Sequence, residues 1–586
     1  MILNKKEKRM LGRTREQLVA ALAVALVATS FGSLTARAEW SPEAEENYSS
    51  VAKFERDFAV NTIRDAKGNR IRLMTKAEGE NAAPDLWAHK DLADDGIPGT
   101  STAKAYATLT LKKPAKPIIV AVLDSGVDIS HPDLKGMIWE NAAEKNGKPG
   151  VDDDGDGYVD DVNGWNFIGG KDGKNVGTTT LEVTRELKRM RAKKPSSLTK
   201  QDKAYIAELE AAYNERKDPA EATVKKYGPI QKDYLAALDI LKKLGLTEES
   251  VDAVNAIQTK TPEEDKAKTV LLSQLNSGRD SSVLKEIVDY YQNMLDSYLN
   301  LNYPSSSDII GDNPNNLHER YYGNGDVRAL GADHGTHCSG IIAALRNNGI
   351  GADGQSNWVK IMPVRAVPDG DERDKDIANG IRFAVNHGAR IISMSFGKDF
   401  SPGKRVVDQA VAYAAAHNVL LVHAAGNDNK NLETAHNFPT AKLLDGRKAP
   451  NWIEVGASTK HADALLPASF SNYGPKSVDL FAPGKDIYST TPDGTYASFS
   501  GTSMATPEVA GVAALVLSQN PKLTAVQLKR ILMTSVTPMG KVETFQPDDI
   551  DRTRPENANR PGTKVPFSTL SRTGGIVNAL NALKSL

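Results

Sequence analysis

Along the chain, short runs dominated by apolar residues alternate with longer stretches in which apolar positions recur at helical steps. Ile118 to Leu123 is unbroken and rich in β-branched residues, and Val359 to Val364, Ile391 to Met394, Val419 to Ala424 and Ile453 to Val455 are similar short runs, each with one polar residue. Runs of that length without polar alternation predict strands buried on both faces of a parallel sheet. Ile377 to His387 and Val406 to His417 lie between them and carry apolar positions at three- and four-residue spacing, which predicts amphipathic helices. Strands and helices alternating over short connections define the α/β class, a parallel sheet flanked by helices. In such sheets chemistry sits beyond the carboxyl ends of the strands.

Two regions break the pattern. Between about Thr180 and Asn300 the chain is rich in Lys, Glu, Ala and Leu, and strand signals are few. Leu284, Ile287, Tyr291, Met294 and Tyr298 recur at steps of three and four, as do Tyr227, Ile230, Tyr234, Leu238 and Leu241. This predicts a bundle of three or four amphipathic helices that interrupts the α/β domain. Its role is open between a tolerated surface insertion and a lid, a partner-binding arm or a maturation element.

At the other end, Lys5, Lys6, Lys8, Arg9, Arg13 and Arg15 precede an apolar run from Leu18 to Ala28, followed by Ala36-Arg37-Ala38. That order predicts a signal peptide cut after Ala38, with an uncleaved anchor as the alternative. The organisation expected is therefore a signal peptide over 1–38, a polar N-terminal extension over 39–115, an α/β domain from 116–170 and 308–586, and a helical insertion over 171–307. Within the extension a helix is expected from Glu43 to Phe58 and a turn from Asp94 to Gly99.

Composition narrows the choice of partner. With 25% charged residues, 40% hydrophobic residues and a net charge of -1, neither nucleic-acid binding nor wholesale disorder is implied. Cys338 is the only cysteine, so an exported fold rests on its core and on metal ions rather than on a disulfide. Asp152, Asp154 and Asp156 alternate before Gly157, with Tyr158 and Asp160 following, matching the first nine positions of a calcium loop. Asn163 stands at position twelve in place of a bidentate glutamate, so this is not a full EF-hand. A structural Ca2+ is the reading, with a solvated acidic turn as the alternative; no organic cofactor is called for.

Asp124 closes the first apolar run, His334 opens His334-Gly335-Thr336-His337, and Ser503 lies in Gly501-Thr502-Ser503-Met504-Ala505-Thr506-Pro507, ahead of a helical Val509 to Leu515. A carboxylate, an imidazole and a hydroxyl at element boundaries supply an orienting group, a base and a nucleophile. These segments resemble the subtilase family of serine proteases, in which the three motifs occur in that order. The resemblance spans most of 116–170 and 310–540 and implies a subtilisin-like fold and an exported serine endopeptidase, periplasmic or secreted, acting on polypeptides. No later segment is apolar for long enough to cross a bilayer, so no stable membrane insertion is expected after signal cleavage. Asn427, in Ala424-Ala425-Gly426-Asn427, matches the family's oxyanion-hole asparagine. Ser393, Met394, Ser395, Phe396 and Gly397, with Ala424 and Gly426, match its substrate-binding segments, where a peptide adds as a strand. Gly397 would leave room for the first pocket, and Phe396 has a place in the core as its alternative.

The chain also departs from the family. Glu508 stands where histidine is usual, and 210 positions separate Asp124 from His334. His337 reads as structural rather than metal-ligating. Cys338 reads as a buried inert thiol, with a mercurial-sensitive thiol beside His334 as the alternative. The resemblance further implies an inhibitory pro-segment from Glu39 onward. A non-catalytic scaffold, and a dedicated processing enzyme whose insertion recognises one partner, are the rival functions.

Overall fold

The computed structural model describes residues 85–554 and 557–586, together with the antiparallel pair Ile63–Arg64 and Arg70–Ile71. The expected signal peptide and the helix expected over 43–58 lie outside the described residues. The apolar runs become the strands β1 (Ile118–Asp124), β3 (Val359–Arg365), β4 (Ile391–Met394), β5 (Leu420–Ala424) and β6 (Trp452–Ser458). With β2 (Trp165–Asn166), β7 (Leu480–Pro483), β10 (Thr537–Pro538) and β11 (Gly575–Ile576) they form a nine-stranded sheet in the order β10-β11-β7-β6-β5-β4-β1-β3-β2. Every pairing is parallel except β10 with β11. A separate hairpin joins β8 (Ile487–Thr491) to β9 (Thr495–Phe499).

Both faces of the sheet are covered, which is why its strands show no polar alternation. Val120 and Val122 of β1 join one core cluster with Ile341 and Val509, whereas Ala121 and Leu123 join another with Ile377, Ile381 and Val407. Helices α5 (Asp333–Ala343) and α8 (Thr502–Gln519) therefore pack on one face. Helices α6 (Asp374–Asn386) and α7 (Lys404–Ala416) cover the other.

The predicted bundle comprises α1 (Glu182–Arg191), α2 (Lys200–Lys243), α3 (Pro262–Leu275) and α4 (Ser281–Asn293), with a short helical turn at Val251–Ala256. Helix α2 opens on a capping box at Thr199 and Asp202 and runs unbroken through Pro219 and Pro229. An interior proline costs about 3 kcal/mol of helix. Here the loss is offset by burial of Tyr213, Ala220, Tyr227, Tyr234, Leu238 and Leu241 in a core shared with Leu284, Ile287 and Tyr291. The Leu181 N–H donates to Tyr298 O at 3.0 Å, so the entrance and exit of the bundle meet.

The segment from residue 85 onward packs on the sheet body, with Trp87, Ala88 and Ala105 in the same core as β1 and α8. The turn expected from Asp94 to Gly99 is present, with Gly96 closing Leu92–Asp95 in a left-handed conformation. The far end of the chain seals this segment: Ala579 N–H donates to Thr100 O at 2.7 Å, and Asn578 Nδ2 donates to Ser101 Oγ at 2.8 Å.

Candidate active site

Asp124 is the last residue of β1 and is buried; His334 is the second residue of α5. His334 Nδ1 lies 2.7 Å from Asp124 Oδ1, which also accepts the Ser125 N–H at 2.7 Å. An ionised carboxylate only accepts, so Nδ1 carries the proton and Nε2 is left as the ring's acceptor. The approach depends on Gly335, where a Cβ would run into Gly126 O on the turn after β1. Distant in sequence, the two motifs meet at the carboxyl edge of the sheet.

Ser503 is the second residue of α8, and Pro507 follows four positions later. Proline has no N–H, so the carbonyl of Ser503 is released from the helical ladder. Ser395 Oγ donates to it at 2.9 Å, and the Cys338 thiol donates at 3.5 Å. In return Ser503 Oγ donates to Ser395 O at 3.2 Å, so the two serines clasp each other. Among the described residues, this bond to Ser395 is the one Ser503 Oγ makes, and no bond joins it to His334. Cys338 links the two, its Sγ lying 4.0 Å from His334 Nδ1, and burial pushes this thiol well above its ordinary pKa. A neutral buried thiol is a packing group rather than a nucleophile.

Asn427 follows β5. Its Oδ1 accepts from both Thr502 N–H, at 2.8 Å, and Thr502 Oγ1, at 2.9 Å, which fixes the orientation of the amide. Asn427 Nδ2 and Ser503 N lie 3.7 and 3.5 Å from the point where a Cβ of Gly501 would sit. Two donors thus flank one small space at the start of a helix, where backbone N–H groups lack intrahelical partners.

Ser393 and Met394 are buried within β4, and Phe396 packs into the core edge-on to His423, with ring centroids 6.1 Å apart. These side chains face inward, which leaves the backbone of 393–397 as the strand's contribution. A Cβ on Gly397 would run into the Asn437 amide, whose Nδ2 donates to Ala424 O at 2.9 Å. Gly397 therefore admits a cross-strap between the segments 393–397 and 424–427. His337 stacks on Phe499 at 4.3 Å, and its Nε2 lies 3.0 Å from Ala497 O. Glu508 is buried against the Gln355 amide, and burial raises its carboxyl well above the ordinary range. Gln355 in turn contacts Thr100, Thr102 and His89, so the segment after residue 85 supports the helix bearing Ser503.

The acidic loop is divided in two. Asp152 closes turns, Oδ1 accepting from Gly155 N at 2.7 Å and Oδ2 from Gly157 N at 2.9 Å, and Asp160 Oδ2 accepts from Gly150 N at 2.7 Å. The Tyr158 ring is buried against Trp165 and Phe383, which leaves its carbonyl as its one ligand of use. Asp154 and Asp156 instead converge with His387, and Asp154 converges with Glu144 and Asp161, with ligand atoms in each group within 4.8 Å of one another. His387 Nε2 lies 2.7 Å from Asp156 Oδ2 and 3.2 Å from Asp161 Oδ2, and this imidazole is the one partner of these buried oxygens among the described residues. Burial pushes the Asp156 carboxyl up to about 6 and also raises Asp161. Burial works to lower the His387 imidazole, but Asp161 and Asp156 outweigh it and hold it above its ordinary value. Crowded carboxylates suit a hard cation, whereas an imidazole suits calcium poorly. Glu144, Asp161 and His387 went unread in the sequence; Asp161 adjoins the acidic run, while the other two carry no local signal.

The model of the Subtilase family matches residues 115–564, and the chain belongs to that family. It is 45% identical over 190 residues to thermitase of Thermoactinomyces vulgaris, covering 32% of this chain and 62% of that protein. It is 38% identical over 216 residues to subtilisin BL of Lederbergia lenta, covering 37% and 74% respectively. With the cell wall-associated protease of Bacillus subtilis (strain 168) it shares 38% identity over 227 residues, covering 39% of this chain and 24% of that one. A solved cold adapted subtilisin-like serine proteinase is 34% identical, covering 35% of this chain and 68% of its own, with a TM-score of 0.30. The chain thus spans from about a quarter to about three quarters of the length of these relatives. No helix among the described residues is long and apolar enough to cross a membrane.

Proposed function

We propose that the chain is an exported serine endopeptidase that cleaves polypeptides, with Ser503 as nucleophile, His334 as general base and acid, and Asp124 as the group that orients the imidazole. The observation carrying this reading is the 2.7 Å bond from Asp124 to His334 Nδ1, set beside a serine at a helix start and an amide donor fixed by Thr502. A peptide adding along 393–397 offers its scissile carbonyl to Ser503. A side-chain rotation frees Ser503 Oγ from Ser395 O and delivers its proton to His334 Nε2; such bonds are often long before substrate binds. Asn427 Nδ2 and the Ser503 N–H receive the developing oxyanion. His334 then protonates the leaving amine, and water repeats the cycle on the acyl-enzyme.

Two finer readings accompany this one. Asp154, Asp156, Glu144 and Asp161 would hold a calcium ion that neutralises their mutual repulsion and stabilises the loop leading into β2. Export is supported by the basic and apolar order of the first residues, and the domain layout expected from the sequence is retained as a proposal. A fluorophosphonate probe tests the central claim. Covalent labelling is expected at Ser503 in the wild type and absent in Ser503→Ala, with loss of proteolysis in parallel. A folded wild-type protein that takes no label would leave the non-catalytic scaffold as the better account.

A further inference from the structure

The residues that follow the proposed substrate segment are held by the helical insertion, one after another. Lys398 is buried, and its Nζ lies 2.8 Å from Glu182 Oε2 at the start of α1 and 3.0 Å from Asp374 Oδ1. Asp399 Oδ2 accepts from Arg216 Nη2 of α2 at 2.6 Å. The Phe400 ring lies 6.5 Å from that of Tyr205, also on α2, and packs at the edge of the insertion's own core. Asp399 Oδ1 meanwhile accepts from Lys430 Nζ at 2.8 Å, and Lys430 lies three residues after Asn427. Asp399 therefore ties the insertion to both walls of the cleft, the 393–397 side directly and the 424–427 side through Lys430. A spacer tolerated on the surface would need none of these contacts.

We infer that the insertion is a positioning element for the substrate cleft, and that Arg216, through Asp399 and Lys430, sets the separation of its two walls and so the size of side chain accepted before the scissile bond. This rests on the peptidase reading above. Lys398 and Glu182 anchor the same wall more deeply. Burial would raise the Glu182 carboxyl, but the Arg185 and Lys398 cations outweigh it and hold it down to about 2, so this pair stays charged. The Arg216 pair is partly exposed, at 29% for each side chain, which makes it the safer place to perturb.

The test uses Arg216→Ala and Arg216→Lys in the full chain. Anilide substrates carrying Phe, Leu or Ala before the scissile bond are compared for kcat and KM, with active sites counted by fluorophosphonate titration. Loss of a partly exposed ion pair of up to about 1 kcal/mol corresponds to about a fivefold change, expected in KM for the larger side chains with kcat nearly unchanged. Arg216→Lys should recover most of it. Amide hydrogen exchange over 395–401 and 426–431 should also quicken in Arg216→Ala. Unaltered KM ratios with unaltered exchange would overturn the inference. If the wild type neither labels nor cleaves, the peptidase reading falls, and with it the claim about side-chain size. The exchange data would still decide whether Arg216 braces the two walls.

Discussion

Replacing Asn427 by Asp separates the two tasks of that side chain. In the wild type, Oδ1 accepts two bonds from Thr502 while Nδ2 faces the space beside Ser503 N. Asn427→Asp keeps an acceptor for Thr502 but sets an anionic oxygen where a donor stood. Asn427→Ala removes donor and acceptor together. Loss of one oxyanion donor costs about 3–4 kcal/mol, or about two to three powers of ten in kcat; that magnitude is taken over from subtilisin, the system in which it is best known. The aspartate adds repulsion toward the developing oxyanion, so its kcat should be no higher than that of the alanine variant although the Thr502 bonds are spared. Since the ground-state carbonyl makes weaker use of the donor, KM should stay within about threefold in both variants. The assay is kcat and KM on a peptide anilide, normalised to fluorophosphonate-titrated sites. If Asn427→Asp kept more than about a tenth of wild-type kcat, Nδ2 would not be an oxyanion donor and the proposed geometry would be wrong.

Two further outcomes follow from groups away from the cleft. A chelator should lower the thermal midpoint of the wild type by several degrees, and Asp154→Asn should shrink that shift because Asp154 belongs to both carboxylate groups; an unchanged midpoint on chelation would refute the calcium reading. Burial, aided by Arg346, lowers the His89 imidazole from 6.5 to about 3, so the folded protein refuses a proton that the unfolded chain accepts. That contribution is whole above pH 6.5 and is lost as pH falls toward 3, at about 1.4 kcal/mol per unit, or about 2 kcal/mol by pH 5. Glu508 titrates in the opposite sense in both proteins, so denaturant midpoints of wild type and His89→Gln compared at pH 7 and pH 5 should show a steeper loss in the wild type; parallel losses would refute it.

The sheet was legible because burial on both faces leaves an unbroken apolar run, as from Ile118 to Leu123. Strand ends were less so. β6 extends from Trp452 to Ser458, beyond the expected Ile453 to Val455, because Gly456, Ala457 and Ser458 pair with Phe481, Ala482 and Pro483 of β7, a pairing that no local pattern announces. The bundle was legible from its spacing, but the 44-residue length of α2 was not, since Pro219 and Pro229 read locally as breaks and tertiary packing overrides them. At the cleft, Asp124, His334, Ser503 and Asn427 stand in recognisable motifs. The role of Pro507 did not: placed at the sixth helical position rather than in the first turn, it frees a carbonyl for Ser395, a partner 108 positions away. His387 and Glu144 join the acidic loop only through the fold, beyond the reach of a linear motif.

The bonds from Thr100 and Ser101 to Ala579 and Asn578 bear on how the molecule comes into being. They close a loop of 477 residues, so the segment that carries His89 and supports Glu508 cannot settle until Asn578 and Ala579 have been made. Contacts so remote are reached late and slowly. A partly synthesised chain already containing Ser503 would lack its final brace, and a latent interval before full competence is thereby written into the order of the residues themselves.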